Sequence, residues 1–167
     1  MWTERIRTMV AAAANGVMTY SPGELQDFES VTVNPWIREY LTTCLASEGY
    51  VASGVWVKDL TGLRAENAAG TAPGGYIFPH GFLVIATSVG GNAVCVSSHT
   101  GEVCWVDHSS FARNRISYKD KKTGKWVNLP FAVRHIPHAM IVLSPRLDLF
   151  LDELLTGGAT ERLEKLD

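Results

Sequence analysis

Residues 90–111 read GGNAVCVSSHTGEVCWVDHSSF. Two valine-rich runs, NAVCVSS (92–98) and EVCWVD (102–107), flank HTG (99–101), which suits a hairpin turn. The stretch therefore predicts a β-hairpin. Cys95 and Cys104 fall on facing strands between valines, His99 at the turn, and His108 past the far end of the second strand. Gly90-Gly91 lead into a strand, not a helix, and lack the spacing of a phosphate-binding loop, so they read as the turn before the hairpin. Trp105 is expected in the core. Asp107-His108 close a strand end, where aspartate commonly accepts hydrogen bonds from backbone N–H groups.

The same residues raise the question of a reactive site. A zinc reading takes Cys95, His99, Cys104 and His108 as ligands, since thiolate and imidazole both suit zinc. Structural zinc sites favour a short Cys-to-Cys knuckle, whereas these cysteines stand nine positions apart. The four side chains would have to converge from opposite ends of a two-stranded ribbon, so no metal is expected. A nucleophilic thiol needs a neighbouring cation or helix N-terminus to lower its pKa. Valine and tryptophan neighbours raise it instead, and both cysteines read as small buried hydrophobes.

Upstream, GFLVIATS (81–88) is a continuous apolar run, consistent with a central strand buried on both faces. YVASGVWVKDL (50–60) alternates and predicts a strand, and RAENAAGTAPGGY (64–76) reads as a loop. The N-terminal third is helical in texture. WTERIRTMVAAAA (2–14) predicts a helix that either packs on the domain or forms an arm, stopped by Asn15-Gly16. Ser21, Pro22 and Glu24 predict a helix start with a capping box, with Leu25 and Phe28 on one face. Asn34-Pro35 opens a second helix, whose apolar stripe runs from Trp36 through Ile37, Tyr40, Leu41, Cys44 and Leu45 to a stop at Gly49.

Downstream, KDKKTGKWVNL (119–129) predicts a turn at Thr123-Gly124, its charge run reading as a solvated loop tip. FAVRHIPHAMIVL (131–143) reads as extended, which sends His135 and His138 to different faces. SPRLDLFLDELLTGG (144–158) predicts a helix with Leu147, Phe150, Leu151, Leu154 and Leu155 on its apolar face. ATERLEKLD (159–167) comes next as a frayed turn. Helices, then strands, then a helix indicate a single α+β domain with a mainly antiparallel sheet flanked by helices.

With 167 residues, 46% apolar and 19% charged, the chain has the composition of one globular domain. A net charge of −2 offers no electrostatic case for nucleic acid, and no stretch approaches a membrane-spanning length. The first residues read as a helix, not a signal peptide. Three cysteines leave one over if two pair, so a reducing cytoplasm is the expected setting.

The order of these motifs resembles the SUKH superfamily, which includes yeast cell-wall-synthesis regulators and bacterial immunity proteins. Gly90-Gly91, Thr100-Gly101-Glu102-Val103, Trp105 and Asp107-His108 fill the places of its glycine turn, tGeV run, aromatic strand and Asp-His pair. The opening SPGELQDFES and NPWIREYL and the closing LDLFLDELLTGG extend the similarity over residues 21–158. Residues 1–20 then form a preceding helix or arm, and 159–167 a tail. The family's usual Leu-Pro is Asn34-Pro35 here, and residues 111–145 match none of its motifs.

The resemblance implies a SUKH-like fold and a non-enzymatic protein that binds and neutralises a cognate toxin, with no cofactor. Exposed aromatics and mixed charges would carry affinity, which makes Trp56, Asp59, Glu66, Asp107, His108 and Trp126 the candidates. Asp59, Glu66 and Asp107 suit a basic nuclease partner, and Trp56 and Trp126 a partner of another kind. The alternatives are a small metal- or thiol-dependent hydrolase using Cys95, Cys104 and His108, and a regulatory scaffold module.

Overall fold

A computed structural model describes residues 2–167. The hairpin within residues 90–111 lies in the middle of a six-stranded antiparallel sheet. Its strands are β6 (Ala93–Ser97) and β7 (Val103–Val106), with Cys95 opposite Cys104 and Val94 opposite Trp105. The other members are β3 (Tyr50–Ala52), β4 (Val55–Val57), β5 (Phe82–Thr87) and β11 (Met140–Ser144), in the order β11-β7-β6-β5-β4-β3. As the apolar run of residues 81–88 predicts, β5 is central, and Leu83, Val84, Ile85 and Ala86 are fully buried.

Both faces of this sheet are covered, and the period of two decides which residue joins which core. Val94, Val96, Val103 and Trp105 face one core. It is completed by α1 (Trp2–Ala13), α2 (Pro35–Thr43), α3 (Leu60–Glu66), α5 (Leu147–Thr156) and α6 (Thr160–Glu164). Ala93, Cys95, Cys104 and Val106 face a second core. Ile77 of the short helix α4 (Gly74–Ile77), Phe111 of β8 (Phe111–Ala112), Ile116 of β9 (Arg115–Lys119), and Ile136 complete that core. With β10 (Trp126–Pro130), β8 and β9 form a separate three-stranded sheet in the order β10-β9-β8. The remaining strands, β1 (Val17–Met18) and β2 (Leu45–Ala46), form a small pair. The fold is thus α+β, mainly antiparallel and flanked by helices. No helix among the described residues is long and apolar enough to cross a membrane.

Capping chemistry places α2 where the sequence puts it. The Asn34 side chain accepts from the Trp36 and Ile37 backbone N–H groups at 3.0 and 3.3 Å, and Pro35 takes the first helical position. The same carboxamide donates to the Ser98 carbonyl at 3.3 Å, tying the helix start to the central hairpin. The helix ends at Thr43, before the predicted stop at Gly49, because Leu45 and Ala46 leave it to pair with Met18 and Val17. Of the two readings of residues 2–14, a helix packed on the domain is the one found, with Ile6 and Val10 buried against the first core.

Residues 21–33 depart from the predicted helix. The capping-box bonds form, Ser21 N–H to Glu24 Oε2 at 2.9 Å and Glu24 N–H to Ser21 Oγ at 3.4 Å. Beyond them the chain runs through a series of i→i+3 turns with one short 3₁₀ segment, Gln26–Phe28. The apolar spacing explains it: Leu25, Phe28 and Val31 are each three apart and all buried, which suits three residues per turn and not 3.6.

Residues 50–81 hold two further departures. The single predicted strand over 50–60 is a hairpin, β3–β4, because Ser53 and Gly54 both take positive φ (48° and 80°) in a two-residue turn. The predicted loop contains the end of α3 and all but the last residue of α4. Its glycine pair serves close packing: a Cβ at Gly74 would overlap the Glu66 carbonyl, and one at Gly75 the Ala68 carbonyl.

The segment 131–143 is not extended throughout. Val133–Ala139 is a 3₁₀ segment, and its three-residue turn places the His135 and His138 rings 6.2 Å apart instead of on opposite faces. The C-terminal tail is also better ordered than a frayed turn, since α6 buries Leu163 in the first core.

Candidate functional site

The cysteine–histidine stretch does not assemble a reactive centre. Cys95 and Cys104 sit side by side, 0% and 4% exposed, and face the second core. Burial, and then the neighbouring Cys104 thiol, push the Cys95 thiol well above its ordinary value. Burial, and then Glu102, push Cys104 up to about 11. His99 lies at the hairpin turn, with its Nε2 3.2 Å from the His80 carbonyl oxygen. His108 lies beyond the other end of β7, where Asn92 Oδ1 accepts from its backbone N–H at 3.1 Å. Among the described residues, no three His, Cys, Asp or Glu side chains come close enough to hold a metal ion. At about pH 8 a thiol titrating near 11 holds about a hundredfold less thiolate than one titrating at 9. Iodoacetamide should accordingly modify Cys104 of the folded protein about a hundredfold more slowly than that of the denatured chain. Equal rates would place the thiol at the surface.

Asp107 is occupied by the turn after β7. Its Oδ1 accepts from the Ser109 backbone N–H at 2.8 Å and from the Ser109 hydroxyl at 2.6 Å. Three other candidates gather at the opposite end of the six-stranded sheet. Asp59 caps α3, accepting from the Gly62 N–H at 2.7 Å. Glu66 pairs with Lys58 Nζ at 2.8 Å, and that ammonium stands 4.9 Å from the centroid of the Trp56 ring. Trp56 is 57% exposed, yet its indole lies over Gly49, leaving no room there for a Cβ. Asp59 and Glu66 therefore hold local structure together, and their carboxylates are already engaged.

The remaining candidate, Trp126, stands in a different setting. It is 54% exposed and borders a cleft of about 790 Å³ between the β9–β10 hairpin and β11. Asp107 and Trp105 reach the floor or rim of this cleft. Tyr118 and His138 form one wall, their rings stacked with centroids 5.5 Å apart. Lys119, Lys121 and Lys122 border it as well. The structure thus brings Asp107 and Trp126 to one cleft and leaves Trp56, Asp59 and Glu66 elsewhere. Lys121, Lys122 and Lys125 are exposed in the β9–β10 loop, as a solvated loop tip requires, and Lys121 and Lys122 also border the cleft. No protein-family model, no curated protein and no solved structure matches the chain.

Proposed function

We propose that the chain is a non-enzymatic protein-binding domain, an immunity protein of the SUKH kind that captures and neutralises a cognate toxin. The observation that carries this reading is the surface around Trp126. A large aromatic is held exposed on a sheet beside a cleft, the kind of anchor that protein interfaces bury, and the lysines around it suit a polar rim. The resemblance in residues 90–108 and the α+β fold support it. The thiol-hydrolase alternative needs an accessible thiolate, and the buried, upward-shifted Cys95 and Cys104 do not offer one.

Co-expression tests the proposal. The chain should restore growth to cells carrying the toxin encoded beside its gene, and should co-purify with that toxin. No rescue, together with turnover of a small substrate that depends on Cys104 or His108, would replace the binding reading with the enzyme.

A further inference from the structure

We infer that the outward face of the β8–β10 sheet and its hairpin loop form a docking surface for an acidic protein, an inference that rests on the protein-binding reading above. The strand register builds this face. Ile116 and Tyr118 turn inward to the second core, so Arg115 and Lys119 turn outward. Pairing then sets Pro130 opposite Arg115 and Trp126 opposite Lys119. Arg113 lies in the β8–β9 turn, Lys121, Lys122 and Lys125 in the β9–β10 loop, and Arg134 in the next 3₁₀ segment.

The charge is segregated sharply. Residues 111–139 contain seven of the chain's 15 Lys and Arg and one of its 17 Asp and Glu, a net +6, while the rest of the chain carries −8. All seven cations are exposed, and none forms an ion pair among the described residues. Elsewhere six of the eight Lys and Arg do: Arg5, Lys58, Arg64, Arg146, Arg162 and Lys165. The one acid of the segment, Asp120, is engaged by its own turn and accepts from the Lys122 and Thr123 N–H groups at 2.6 and 3.0 Å. The face therefore presents positive charge that has no ion-pair partner among the described residues.

The complement of such a face is anionic, and its extent favours a protein. Exposed charges act over roughly 8 Å at physiological salt, so this face attracts locally. A five-residue strand spans about 17 Å, the scale of one protein patch. A nucleic acid would run past the face onto a body of net −8, which repels phosphate.

The test uses the full chain, a variant carrying K119E, K121E, K122E and K125E, and Trp126→Ala. All five positions are exposed, and an unchanged denaturation midpoint checks that folding is intact. The probes are an immobilised poly-glutamate peptide and an oligothymidylate of equal charge, at low and physiological salt. The unaltered chain should bind the peptide at least as tightly as the oligonucleotide. The charge reversal should weaken peptide binding by about tenfold or more, and Trp126→Ala by less. No peptide binding, or binding that survives the reversal, overturns the inference. An oligonucleotide bound about tenfold more tightly than the peptide overturns it in favour of nucleic acid. In the growth assay, rescue by the unaltered chain and equally by the reversal variant would place the interface elsewhere, sinking this inference while the binding reading stands. Peptide binding lost on reversal, without rescue by either chain, supports the acidic partner and removes the toxin.

Discussion

Replacing Trp105 with alanine should lower the free energy of unfolding by about 3–5 kcal/mol, the cost of deleting a large buried aromatic. The ring is 3% exposed and joins the first core from the centre of the sheet. Its strand neighbours are Val94 of β6 and Ile141 of β11, so the ring is held from both sides within the sheet. A domain of this kind is stable by roughly 5–15 kcal/mol, so the variant would lose a large part of its margin. Urea unfolding monitored by circular dichroism measures the loss. A midpoint within error of the unaltered protein would mean that the ring contributes nothing to the core and that the two faces of β7 are assigned the wrong way round.

The second large effect comes from a buried polar group, Asn67. Its carboxamide donates to the Leu63 carbonyl at 2.8 Å and to the Val84 carbonyl at 2.9 Å, and accepts from the Val84 N–H at 2.9 Å. Val84 lies where β5 has run past the end of β4, beside an irregularity in its pairing with β6. The amide side chain takes the place of the missing strand residue and joins α3 to the sheet. Asn67→Leu keeps the branched four-atom shape of the side chain and removes all three bonds. It leaves the Val84 N–H and C=O buried without partners, at about 1–3 kcal/mol each, so the loss should be roughly 2–6 kcal/mol. Hydrogen exchange at the Val84 amide should also speed up, which a general packing defect would not confine to that position. A stability change below about 1 kcal/mol would show that water or a backbone shift replaces the amide.

These two residues also mark how far local sequence reaches. Trp105 can be placed in a core because its strand is apolar at every position and its partner strand lies one short turn away. The same locality makes the central strand Phe82–Thr87, the Asn34 cap and the C-terminal helix legible. Asn67 cannot be placed, since nothing in RAENAAGTAPGGY says that a strand will lack a neighbour there. The 3₁₀ course of residues 21–33 is hidden for another reason. A capping box announces a helix more loudly than the three-residue spacing of Leu25, Phe28 and Val31 denies one.

By itself the sequence determined the α+β class, the central hairpin and the burial of its cysteines, because alternation, turns and caps act between residues close in the chain. The tertiary structure alone decided which charges are free. Arg64 finds Asp27 and Arg162 finds Glu153, whereas the cations of residues 111–139 find no carboxylate among the described residues. A net charge of −2 conceals that division, since a sum over the chain does not depend on where each charge lies. Arg115 and Lys119 share an outward face with Trp126 only once β9 and β10 are in register, and that register is fixed by burying Ile116 against a core contributed by distant strands.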